Sequence, residues 1–259
     1  MIEFTLLGTG TSQGIPVIGC ACPTCVSDDV RDKRLRCSAV VESRNHAVVI
    51  DVGPDFRYQA LRHGLKRLDA VVLTHEHNDH VIGLDDLRPF MFMNRKPMPI
   101  YGEERVLAEV KKRFAYAFTP SPYPGAPAFD LVPIVPGAII NIGDITLEAI
   151  RVMHGSLPIL GYVIQKELAY CTDVNAIPPE SIDKINGVKY FIVDALREGK
   201  HHSHNSLAEA LTMKASVNAS QTFLIHMSHI MGPTVEWEDQ LPEDVFPSYD
   251  TLSFELQQE

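Results

Sequence analysis

Residues 73–80 read Leu73-Thr74-His75-Glu76-His77-Asn78-Asp79-His80, and the rest of the chain is read outward from them. The apolar run from Ala70 has the pattern of a strand ending at Thr74, which delivers His75, His77, Asp79 and His80 into the loop that follows. Imidazole nitrogen and carboxylate oxygen suit zinc, manganese or iron. Alternate residues at a strand end point to opposite sides, so one loop can address two adjacent ions. A chance cluster of surface histidines would lie in a polar tag, whereas this one follows an apolar strand and precedes Gly83 and a helix-like segment.

On either side of this loop, strand-like runs fall at Glu3–Gly8, Ser38–Ser43, His46–Val52, Ala70–Thr74, Pro97–Tyr101, Ile145–Val152, Tyr162–Gln165, Lys189–Val193 and Phe223–His226. Apolar residues recur at helical spacing over Asp55–His63, Glu103–Phe118 and Ser206–Ala215. Strands come first and helices are mixed in later, which suits an α/β layered fold with helices packed outside sheets. The proline-rich segment Pro120–Pro127 is expected as a surface connection, and the acidic stretch Glu236–Asp244 as a solvated loop.

With 45% apolar and 22% charged residues, the 259-residue chain has the composition of a globular protein, read here as a single domain over 1–259. Its longest apolar stretches fall far short of the roughly 20 residues a membrane helix needs. The start, Met1-Ile2-Glu3-Phe4-Thr5, reads as a first strand rather than a signal, so a cytoplasmic location is the default expectation. A net charge of -10 argues against nucleic acid as a partner, because nonspecific binding rests on neutralising phosphates with Lys and Arg. Small anionic substrates need only local positive charge, which bound metals provide.

Three of the five cysteines crowd into Cys20-x-Cys22-x-x-Cys25. Three thiolates and one imidazole make a common closed zinc site, and His229 can be the fourth ligand if the N-terminal loop folds over the active-site rim. A redox cluster or three unrelated thiols is the alternative. Cys37 and Cys171 carry no such pattern and are expected in the core. Leu7-Gly8-Thr9-Gly10-Thr11-Ser12-Gln13-Gly14 lacks the lysine of a phosphate loop, and Gln13 stands where G-x-G-x-x-G needs its third glycine.

His75-x-His77-x-Asp79-His80 resembles the H-x-H-x-D-H signature of the metallo-β-lactamase superfamily. The resemblance implies an αββα sandwich, two sheets between outer helices, with further ligands arriving from later strand ends. His154, Asp173 and His226 stand in the required order, each after an apolar run. By resemblance, His75, His77 and His154 hold one metal, Asp79, His80 and His226 the other, and Asp173 bridges them. The G-T-G-T-S opening, the cysteine loop and the late His226-Met227-Ser228-His229 are similar to the PhnP-like branch. That branch implies two divalent catalytic ions, manganese or zinc, one structural zinc, a small cyclic ribose phosphate or related phosphodiester as substrate, and a homodimer. It also implies a histidine between the bridging aspartate and the last ligand that donates a proton or grips phosphate. His204 is the choice, opening a helix-like segment, with His201 and His202 read as solvated neighbours. Asp79 and His204 are then the catalytic residues around a metal-activated water. The competing readings are a ribonuclease Z-like nuclease, a β-lactamase or thioesterase, and a non-catalytic accessory protein like the pyrroloquinoline quinone relatives.

Overall fold

The structure, a computed structural model, describes residues 1–120 and 123–257, so two residues of the proline-rich connection lie outside the described part. Six strands run in chain order through one sheet: β1 (Ile2–Gly8), β2 (Ser38–Glu42), β3 (Ala47–Ile50), β4 (Ala70–Val72), β5 (Met98–Gly102) and β6 (Phe129–Pro133). A second sheet holds β7 (Ile139–Ile142), β8 (Ile145–His154), β9 (Leu157–Ile164), β10 (Leu168–Cys171), β11 (Tyr190–Asp194), β12 (Gln221–Ile225) and β13 (Val245–Pro247). The last strand, β14 (Ser253–Leu256), returns to the first sheet outside β1.

The strands read as near-continuous apolar runs because both faces of each sheet are covered. Along β3, Val48 and Ile50 enter the core between the sheets, while Val49 packs outward. In β11, Ile192 faces the inter-sheet core, and Phe191 and Val193 pack outward. Helix Glu104–Arg113 covers the first sheet through Val106, Leu107 and Val110, and helix Leu207–Val217 covers the second through Ala210 and Val217. The result is the αββα sandwich.

Every run expected as a strand is one, within a few residues, although β9 begins earlier than its apolar run, at Leu157. Five strands are not among the expected runs: β6, β7, β13 and β14, which are the four sheet edges, and the inner strand β10, read only as the apolar run before Asp173. Edge strands are short and covered on fewer sides, so their alternation is weak. The expected helix over 103–118 divides into Glu104–Arg113 and a 3-10 turn at Ala115–Phe118. The acidic stretch is not simply a solvated loop, since Thr234–Trp237 is helical and Trp237 packs into the second outer core. Cys37 and Cys171 are buried, as expected. None of the helices among the described residues is long and apolar enough to cross a membrane.

Within the sheets, β3 to β6 and β10 to β13 pair in parallel, so their C-terminal ends gather at one rim. Ligands of such sheets bind beyond the carboxyl ends of the strands. At three of these exits the chain turns through a left-handed residue: Asp51 (φ 61°), Asp173 (φ 54°) and His226 (φ 56°). Asp, Asn and His tolerate this region better than other side chains, and such strain gathers at functional sites.

Candidate metal centre

Four residues of the 74–80 loop, His75, His77, Asp79 and His80, meet the later strand ends. One donor atom each from His75, His77 and His154 lie within 4.8 Å of one another, as do those of Asp79, His80, Asp173 and His226. Asp173 also groups with His154 and His204, so it stands between the two sets. All seven residues expected at this site are therefore brought together, from both sheets.

Donor separations bear on whether metal ions fit. His226 Nε2 lies 3.1 Å from Asp173 Oδ1, and His80 Nε2 lies 3.3 Å from Asp173 Oδ2 and 3.4 Å from Asp79 Oδ2. Bonds of about 2.0–2.1 Å to a tetrahedral ion put neighbouring ligands about 3.3 Å apart. Among the described residues neither Nε2 makes a hydrogen bond, although both are buried. Buried nitrogens without an aligned partner are rare, and a shared cation is the partner this donor set suits.

The charges agree. Burial alone would lower His80, but the carboxylates of Asp173, Asp51 and Asp79 raise it well above the usual histidine range. Burial likewise opposes the rise of His226, which Asp173 carries to about 9. Burial would raise Asp173, yet the charged His226 and His80 hold it well below the carboxylate range. The second set thus balances its carboxylates with protons on imidazoles, the countercharge that a divalent cation supplies in exchange. In the first set, burial lowers His75 well below its usual value and lowers His154. Neutral imidazoles are what a metal needs.

Residues behind the donors fix their orientation, and the sequence reading missed them. Asp51 is fully buried and accepts from Thr74 N at 2.8 Å, Thr74 Oγ1 at 2.7 Å and His80 Nδ1 at 2.7 Å. His80 is thereby held with its other nitrogen toward Asp79 and Asp173. His154 Nδ1 donates to the Ser203 carbonyl at 2.9 Å. Asp194, also fully buried, stands 2.7 Å from His204 Nδ1. Asp51 and Asp194 each close an apolar strand, the same signal that marked Asp173. His204 stacks on His226 with ring centres 4.6 Å apart, so it adjoins the cluster as expected. His202 is exposed, whereas His201 is half-buried with its ring centre 5.1 Å from that of His204, so His201 is more than a solvated neighbour.

Two glycines let the loop close. A Cβ on Gly53 would fall 2.0 Å from the Asp79 carbonyl oxygen, and one on Gly83 would fall 2.0 Å from the Gly53 carbonyl oxygen. Val52 N donates to the His80 carbonyl at 2.7 Å across this contact.

The cysteine loop does fold toward the strand end that carries His226. His229 Nδ1 lies 3.3 Å from Cys20 Sγ, 3.4 Å from Cys22 Sγ and 3.6 Å from Cys25 Sγ. With bonds of about 2.3 Å to sulfur and 2.0 Å to nitrogen, a tetrahedral zinc puts these atoms about 3.5 Å apart. The backbone N–H of Cys25, with His229, lowers Cys22 to about 6, while burial raises Cys25 to about 11. Val17 N donates to Cys25 Sγ at 3.3 Å within the loop, and Thr24 Oγ1 donates to the His229 carbonyl at 2.8 Å, which ties the loop to the segment after β12.

A family model described as beta-lactamase superfamily domain matches residues 46–227. The crystal structure of a diphosphatase from the PhnP family superposes with a TM-score of 0.91 at 35% identity, covering 99% of this chain and 98% of that one. An octanoyltransferase of Porphyromonas gingivalis is 40% identical over 249 residues, 95% of this chain and 50% of its own length. A ribonuclease Z of Bradyrhizobium sp. is 27% identical over 165 residues, 61% of this chain and 49% of its own. The chain spans about half the length of the curated relatives it matches. The fold that carries these matches implies divalent metals, and two clusters of suitable donors are in place. On sequence, fold and donor arrangement together, this chain belongs to the metallo-β-lactamase superfamily and is PhnP-like within it.

Proposed function

We propose that this chain is a metal-dependent hydrolase of small phosphodiesters, cyclic ribose phosphates or their relatives. The observation that carries the reading is the seven-donor cluster, drawn from both sheets, beside the Asp194–His204 pair. His75, His77 and His154 would hold one divalent ion, Asp79, His80 and His226 the other, with Asp173 shared. Cys20, Cys22, Cys25 and His229 would hold a structural zinc. Bound at the seven donors, two ions supply positive charge to offset phosphodiester oxygens and bring the pKa of water toward neutrality.

The chain's own residues supply orientation and protons. Asp79 and Asp173 are held ionised against burial by the neighbouring charged imidazoles, so they accept from the attacking water and aim it. Burial raises Asp194 well above the usual carboxylate range, and burial beside charged His226 lowers His204 to about 4. The pair therefore retains one proton between Asp194 Oδ2 and His204 Nδ1, leaving a proton on the other ring nitrogen. That N–H donates to the leaving ribose oxygen or grips a nonbridging phosphate oxygen.

The diphosphatase at 35% identity supports phosphate-ester chemistry. Ribonuclease Z relatives favour RNA cleavage as a second reading, which the net charge of -10 opposes. The octanoyltransferase relative makes an octanoyl thioester the third substrate to include. The test is one panel on metal-loaded protein: 2′,3′-cyclic nucleotides, bis-p-nitrophenyl phosphate, precursor tRNA and an octanoyl thioester. Turnover of the first two is expected. Cleavage of precursor tRNA or thioester alone, or metal uptake without any turnover, overturns the proposal.

A further inference from the structure

The donor set His75, His77 and His154 is split between the sheets, two donors following β4 and one ending β8. Something must hold the two sheets in register at this rim. Two ties are short and direct: Leu160 N donates to the Thr74 carbonyl at 3.1 Å, and Tyr162 Oη to the Leu73 carbonyl at 2.7 Å. The third is a side chain from outside both sheets. Arg105, on helix Glu104–Arg113, donates to the carboxylate of Glu76, the residue between the two histidines. Its other terminal nitrogen donates to the Pro158 carbonyl at 2.8 Å. Pro158 pairs with Met153 in the β8–β9 hairpin, one residue before His154. Arg113 of the same helix donates to the Glu76 backbone carbonyl, and Glu103 just before it binds Arg151 of β8 through both carboxylate oxygens, at 2.9 and 2.6 Å.

We infer that Arg105 is a positioning residue for this metal position. One planar guanidinium spans the histidine loop of the first sheet and the hairpin carrying His154 in the second, and so sets the spacing of the three imidazoles. Only a rigid fork reaches both partners; a lysine, with one ammonium, holds either carboxylate or carbonyl. On its outer side Arg105 borders an open cavity of about 530 Å³ with Glu103, Pro133 and Pro158, so shortening the side chain creates no sealed void. The inference rests on the reading of the seven residues as metal ligands.

Cobalt(II) titration of chelator-treated protein, followed by visible absorption, separates the two ideas. If the unaltered chain takes up no cobalt beyond the cysteine cluster, the ligand reading itself fails. If it takes up two further ions, Arg105→Gln is expected to bind one of them with unchanged affinity and the other about ten- to a hundredfold more weakly, with altered d–d bands. Arg105→Lys is expected to recover only part of the loss. Circular dichroism and cobalt uptake at the cysteine cluster should stay as in the unaltered chain, marking the effect as local. Equal affinity and identical bands at both positions in Arg105→Gln overturn the inference, as does equal weakening of both. Should Arg105→Gln misfold, Glu76→Gln removes the carboxylate charge while leaving the Arg105 tie to Pro158, and the same selective loss is required of it.

Discussion

Asp51→Asn changes almost nothing in shape and turns an oxygen that accepts from Thr74 Oγ1 and His80 Nδ1 into a donor. The left-handed backbone at this position, φ 61°, accepts Asn as readily as Asp, so the substitution isolates electrostatics. Asp51 Oδ1 takes the Thr74 amide at 2.8 Å and Oδ2 takes both Thr74 Oγ1 and His80 Nδ1 at 2.7 Å. An amide can keep the first contact, but its NH2 then faces His80 and requires Nδ1 to be an acceptor. The ring proton moves to Nε2, the nitrogen that points at Asp79 and Asp173 and must be bare to bind metal. Loss of such an outer partner costs roughly ten- to a hundredfold in metal affinity, or about 1.4–2.7 kcal/mol. Competition against a chelator of known strength, with metal content read by mass spectrometry, gives the value directly. Unchanged affinity at the seven-donor site would refute the orienting role of Asp51. Asp51→Ala leaves three buried donors unpaired at about 1–3 kcal/mol each, a large part of a stability of about 5–15 kcal/mol, so it should fail to accumulate as folded protein.

His204→Ala should keep its metal content while turnover falls by about two to four orders of magnitude, and Asp194→Asn should fall in the same direction; unaltered turnover in both removes the pair from the mechanism. Gly53→Ala should destabilise by at least about 1–3 kcal/mol and lower metal content, because its Cβ meets the Asp79 carbonyl oxygen at 2.0 Å, whereas Gly199→Ala, with open space around it, should be neutral. His63 stands 2.5 Å from Glu42, and that hydrogen bond raises its pKa. The stabilisation is then complete below the unfolded value near 6.5 and is lost as pH rises through the folded value. His63→Gln should lower the melting temperature at pH 6 by up to about 3 °C, as for a partly exposed pair, and leave it unchanged at pH 9.5.

The seven donors were legible because each stands at or beyond the end of a strand rich in apolar residues, and because four of them lie within six residues. Asp51 and Asp194 close strands just as Asp173 does, but their role is to hold another side chain, and only the spatial pairing with His80 and His204 separates them from ordinary strand ends. Arg105 is still less visible. It lies on the exposed side of an amphipathic helix, where an arginine needs no explanation until Glu76 and Pro158 are seen to meet it. Four of the five strands outside the expected runs are sheet edges, where partial covering erodes the apolar pattern; the fifth, β10, is inner but only four residues long.

The thiol cluster joins the beginning of the chain to its far end: Cys20 and His229 are 209 positions apart. An ion held there closes a very long loop, one whose ends meet only after intervening strands have paired. Such a clasp cannot guide early folding and instead seals a finished molecule. Stripping it should first free the segment around residues 17–33, seen as new protease cuts and faster amide exchange, while the paired strands of both sheets stay protected.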